Sequence, residues 1–91
     1  MKTKTGIELI ADERKRQIEV EGWTQEHDNQ HDVMEFINAA RAYLAIDKDN
    51  IIRASVWPWS GGFFKPKGDI KDLVRAGALI AAAIDVLQNK Q

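Results

Sequence analysis

Between Glu21 and Glu35 the chain reads EGWTQEHDNQHDVME, crowding histidines, aspartates and glutamates around one tryptophan. Helix packing gives no reason to gather such side chains in one connector. Metal binding, proton transfer and the orienting of a polar ligand do. If the segment after Thr24 is helical, His27 and His31 lie four residues apart on one face, as do Asp28 and Asp32, and His31 and Glu35. Glu26, Asp28, His31, Asp32 and Glu35 are then candidate ligands for a divalent ion. Carboxylates alone favour Mg²⁺ or Mn²⁺, and both histidines shift the expectation toward Mn²⁺, Fe²⁺ or Zn²⁺. A histidine could instead serve as a general base, although no nucleophile motif accompanies it. The same residues also have a plainer use as caps and solvated turn residues, with Asp28 or Asp32 capping the next helix and Glu35 closing a capping box.

A second stretch, Trp57 to Lys67 (WPWSGGFFKPK), pairs aromatic faces with lysines. Trp57, Trp59, Phe63 and Phe64 can stack on a base while Lys65 or Lys67 meets a phosphate. Gly61 and Gly62 let backbone N–H groups approach an anion. Lys71 adds a positive charge at the start of the last helix, opposed by Asp69 and Asp72. The mechanical alternative is a loop whose tryptophans plug the open end of a small bundle, held by two prolines; the two uses are compatible. In the ERKRQ run, Arg14 or Gln17 can turn inward while Lys15 and Arg16 stay wet. An inward Arg14 would pair with Glu21, Asp28 or Asp32. Tyr43 reads as a core-edge residue. Candidate ligand contacts are therefore Arg14, Trp23, His27, His31, Trp57, Trp59, Phe64, Lys65 and Lys67.

The elements that must position these residues follow from patterning. Thr5-Gly6-Ile7-Glu8 has the form of a capping box. A first helix is expected from about Gly6 to Val20, with Ile7, Ile10, Ala11, Arg14 and Ile18 on its inner face, and Gly22 should end it. Asp32-Val33-Met34-Glu35 repeats the cap pattern. It opens a second helix to about Ile46, with Val33, Phe36, Ile37, Ala40, Tyr43 and Leu44 inward. Residues Ile51 to Val56 suit a short helix or an extended piece. Pro58, Gly61, Gly62, Pro66 and Gly68 exclude regular structure across most of Trp57 to Gly68. Asp69 is a candidate N-cap for a last helix from about Ile70 to Gln88, whose AGALIAAAI middle is apolar on nearly every face. Such a helix is central in a bundle or buried against a partner subunit. The expected fold is all-α, a small bundle of three to four helices with a long aromatic, Gly- and Pro-bearing loop before the last helix.

Composition narrows the function. Residues 1–91 make one helical domain with no room for a second core. Such a chain buries only about 60% of its unfolded surface, so a homo-oligomer is expected. A net charge of −1 disfavours binding a nucleic-acid polymer. The absence of cysteine excludes disulfides and Cys-based zinc sites. The charged start is no signal peptide, and the C-terminal apolar run is too short and too charged for a membrane span. The expected setting is cytoplasmic.

The joint pattern ERKRQIEVEGWTQEHDNQH, NAARAYLA, WPW…FFKPK and DLVRAGALIAAAI resembles, over nearly the whole chain, a family of small proteins encoded by tailed phages and prophages. The resemblance implies a phage accessory protein working in the host cytoplasm. A looser similarity is to the all-α NTP pyrophosphatases of the MazG type, which hold Mg²⁺ with glutamates and aspartates on paired helices. Their EExxE and ExxD pieces are missing here in clean form. In the phage family a glutamate often follows AGALIxA, a place taken here by Ala83. Three roles remain open. One is a binding module for a nucleotide-like small molecule, its pocket built by two chains of an oligomer, that sequesters a host defence signal. Another is a metal-dependent nucleotide pyrophosphohydrolase drawing on Glu13, Glu26, Asp28, Asp32 and Glu35. The third is an inhibitor of a host protein, anchored by the tryptophan loop.

Overall fold

The computed structural model describes residues 3–90 and is all-α among them. Helix α1 (Gly6–Glu19) starts at the expected capping box, with the Thr5 side chain accepting from the Glu8 N–H and Glu8 reaching back to the Thr5 N–H. The chain turns at Gly22, whose φ of +76° suits glycine. That turn lets the Trp23 N–H donate back to the Gln17 carbonyl at 3.0 Å. The acidic connector then holds a single helical turn, α2 (Gln25–Asp28), capped by Thr24. The second expected helix is α3 (Val33–Leu44), opened by the Asp32/Glu35 capping box. Residues 51–56, left undecided by pattern, fall largely in a short helix, α4 (Asn50–Ser55), capped by Asp49. The following loop is irregular except for one 3₁₀ turn at Gly61–Phe63. Helix α5 (Asp69–Asn89) closes the fold.

Helix α5 is central, packing along α3 on one side and α1 on the other. On α3 the inward residues are Phe36, Ala39, Ala40 and Tyr43; on α5 they include Ala76, Leu79, Ala83 and Val86. Both sets recur at helical spacing. Seven of the eleven buried hydrophobic residues are alanines, which permit close helix approach, so rings other than Phe36 and Tyr43 must collect elsewhere. They gather beside the loop. On the other side of α5, a Cβ on Gly77 would lie 2.5 Å from Ile10 Cδ1, so glycine is what lets α1 come this close.

Three expectations need correction. The inner face of α1 is more polar than its isoleucines suggest: Ile7 is 82% exposed, whereas Gln17 is buried and Glu13 and Arg14 half-buried. On α3, Leu44 faces outward and Ala39 and Ala42 take its place in the core. Asp69 does not cap α5. Gly68 occupies that position without a side-chain hydrogen bond, and Asp72 accepts from the Lys67 N–H at 2.8 Å instead.

Asp72 is buried, and its other oxygen pairs with buried Arg53 of α4 at 2.9 Å. Arg53 also donates to the carbonyls of Ala42 and Tyr43, at 2.8 and 3.0 Å, near the end of α3. One guanidinium thereby links α3, α4 and the start of α5. Removing one partner of a buried, hydrogen-bonded ion pair leaves an uncompensated charge and costs about 3–5 kcal/mol. Arg53→Ala is therefore expected to lower the unfolding free energy measured by urea titration by about 3–5 kcal/mol or to unfold the chain. Arg53→Met with Asp72→Leu should recover much of the loss. Equal stability of Arg53→Ala and wild type would show that the link is dispensable.

Candidate functional site

The rings excluded from the alanine seam line an open cleft of about 550 Å³. One wall is the end of α1 and the connector after it, carrying Glu13, Arg16, Glu21, Trp23, His27 and His31. The other wall is the loop, carrying Trp57, Trp59, Phe63, Lys65 and Lys67. Phe36 and Tyr43 of α3, with Arg75 and Leu79 of α5, complete the lining. The two stretches singled out by composition therefore face each other.

The aromatic part is a continuous run of ring contacts. Trp57 and Trp59 meet edge to face at 5.3 Å, and Trp59 meets Trp23, His31 and Phe36 at 5.7–6.1 Å. Tyr43 lies edge-on to Trp57 at 5.6 Å. Such edge-to-face pairs stabilise beyond their buried area and hold the ring planes in fixed orientations. Hydrogen bonds pin the loop in place. The Trp59 indole N–H donates to Glu35 Oε1 at 3.0 Å, the Lys65 N–H to the Tyr43 hydroxyl at 3.1 Å, and Arg75 Nη1 to the Lys65 carbonyl at 2.6 Å.

Charge is distributed unevenly. Arg16 is held by Glu13 at 2.8 and 2.9 Å and by Glu21 at 2.9 Å. The bonds it donates, first to Glu13 and then to Glu21, raise its pKa above the ordinary arginine value. Lys65, Lys67 and Arg75 form no salt bridge among the described residues. The loop side thus offers three cations without ionic partners next to the rings, Arg75 among them lying over the Tyr43 ring.

The proposed metal set does not assemble. Asp28 is fully buried, accepting from Arg14 Nη2 at 2.7 Å and from His27 Nδ1 at 2.9 Å. Its carboxylate fixes the proton on His27 Nδ1. Asp32 caps α3, accepting from the Met34 N–H. Glu35 accepts from the Asp32 N–H and the Trp59 indole, and Glu26 stands exposed. His27 and His31 do approach, with ring centroids 4.9 Å apart. Among the described residues, however, no three His, Asp or Glu side chains are grouped to hold a metal ion. The one-turn helix ends at Asp28, so the i, i+4 geometry that would align Asp28 with Asp32 is interrupted.

Two expected ligand contacts also lie elsewhere. Arg14 points at Asp28, with Asp85 at 3.8 Å, and ties α1 to α2 and α5 rather than lining the cleft. Phe64 packs on Tyr43, Trp57 and Arg53 behind the wall, and its neighbour Phe63, 70% exposed, stands at the rim. Arg75 and Arg16, which the sequence pattern does not mark as ligand contacts, also line the cleft. Arg16 reads as one charge in a solvated run, and Arg75 as a polar interruption of a packing helix. A helical wheel places Arg75 about a quarter-turn from Ala76, at the edge of the core, which is the available signal. Ala83, where the resembled family often has glutamate, is buried in the core.

Glu35 joins the α3 cap to the cleft. Its carboxyl is held below the ordinary glutamate value of 4.5, first by the Asp32 N–H, then by the Trp59 indole and by His31. A depressed folded-state pKa adds stability that is fully present above the unfolded value and lost as pH falls through the folded one. Melting temperature should therefore fall as pH drops below about 4.5, and Glu35→Gln should flatten that acid limb. An unchanged acid limb would show that the cap and indole bonds do not hold the ionised form. No family model, curated protein or solved structure matches the chain.

Proposed function

We propose that the chain binds a nucleotide-like small molecule in this cleft and holds it without turnover, as an accessory protein of the tailed-phage kind it resembles. In that setting its role is to sequester a host defence signal. One observation carries the reading: three cations without ionic partners, Lys65, Lys67 and Arg75, border a cleft whose wall is aromatic. Ring faces take up a base, each stack contributing about 1–3 kcal/mol, and the cations take up phosphate. The opposite wall adds His27, His31 and the Glu13–Arg16 pair, groups suited to sugar hydroxyls. Retention rather than hydrolysis is favoured because Asp28, Asp32 and Glu35 are already engaged in hydrogen bonds of the fold.

Assembly is the second part of the proposal. Leu73, Ile80, Ile84 and Leu87 lie on one face of α5, away from Arg75, and are each 42–51% exposed. Their spacing follows the seven-residue pattern of helix pairing, and a second copy covers such a face most simply. No helix of the described residues is long and apolar enough to cross a membrane.

Native mass spectrometry of freshly purified protein, with a nucleotide panel read by tryptophan fluorescence, tests binding. A nucleotide-sized ligand or a saturable change is expected. Lys65→Glu with Lys67→Glu should weaken binding at least about tenfold, the loss of a charge-assisted contact, with unchanged helicity. An empty protein that takes up no nucleotide overturns the reading. In light scattering, Ile84→Glu should convert an oligomer to monomer; a monomeric wild type would refute the assembly.

A further inference from the structure

A groove of about 460 Å³ runs between the first half of α1 and the first turns of α5, and it shares Glu13, Arg16 and Arg75 with the aromatic cleft. The two hollows are therefore adjoining chambers with a common waist. Beyond the waist the groove is lined by apolar Leu9, Ile70 and Val74, with Lys71 beside them. Its carboxylates are not free. Asp12 pairs with Lys4 at 2.6 Å, and Glu13 with Arg16. Cations without ionic partners therefore line both hollows: Lys65 and Lys67 the first, Lys71 the second, and Arg75 both. Lys71, too, forms no salt bridge among the described residues.

A mononucleotide uses one chamber and leaves the cations beyond its phosphate unused. We infer, resting on the cleft reading above, that the ligand is a dinucleotide. Its bridging phosphates sit at the waist against Arg75, since Arg16 there is already held by Glu13 and Glu21; one nucleoside lies among the tryptophans, and the other extends along the α1–α5 groove. The second nucleoside meets aliphatic surface rather than rings, so the aromatic chamber selects its base more strictly than the groove does.

Calorimetry with ADP and with diadenosine 5′,5′-diphosphate tests this on the intact protein. Both carry a diphosphate, and the dinucleotide carries less negative charge, so a gain on adding the second nucleoside is not electrostatic. The dinucleotide is expected to bind at least about tenfold tighter, equivalent to about 1.4 kcal/mol. Ile70→Glu with Lys71→Glu, both exposed positions outside the aromatic chamber, should erase that advantage and leave ADP affinity within about twofold. Equal wild-type affinities, or a dinucleotide advantage that survives the double substitution, overturn the inference while leaving the cleft reading standing. Binding of neither ligand overturns the inference, and overturns the cleft reading as well when no member of the nucleotide panel binds.

Discussion

The buried Arg53–Asp72 pair holds this small fold in register. A chain of ninety-one residues has little apolar area to spend on fixing an irregular loop. Here one guanidinium satisfies two carbonyls near the C-terminal end of α3 and a carboxylate in the first turn of α5. The free oxygen of that carboxylate then accepts the Lys67 N–H. Both ends of the aromatic loop are therefore set by the same charge pair, through α4 before it and Asp72 after it. Such pairs are expensive to desolvate, and their value lies as much in geometry as in net stability.

Division of labour in the core follows. Alanines along α3 and α5 let those helices run close, which leaves room in their buried core for Phe36, Tyr43 and Leu79 but not for the tryptophans. The rings are displaced toward the open end and become the wall of a cleft. Small residues in one place and large ones in another are two aspects of one packing solution. The acidic connector is drawn into the same solution: Arg14 clamps Asp28, Asp28 holds His27, and His27 stacks on Trp23 with ring planes 2° apart. What composition presents as a cluster for chemistry is largely a framework that orients the histidine wall.

The legible parts of the fold are those governed by local rules. Thr5/Glu8 and Asp32/Glu35 are capping boxes because the chemistry of a helix start is contained within four residues. The loop is irregular because proline and glycine act locally, and each of the two unusual stretches stands out by composition alone. Long-range partnership is not legible. Arg53, Arg75 and Asp72 are ordinary charges in the sequence, and only the packing of α3 on α5 brings them to the loop. The inward turn of Arg14 is half-readable, since ERKRQ allows it and Asp28 completes it. The distinction between Phe63 and Phe64 is not, because adjacent rings in a turn are told apart only by which one finds Tyr43.

Trp57, Trp59 and Tyr43 cover the open end of the core and also form the cleft wall. Under the proposed reading the same side chains serve folding and recognition, which constrains how the protein diverges. Wall rings cannot be exchanged to suit a new ligand without exposing the core behind them. The rim, with Phe63, Lys65 and Lys67 exposed, carries no such obligation. Specificity in such a lineage drifts at the rim, while the tryptophans behind it change only together with the helices they protect.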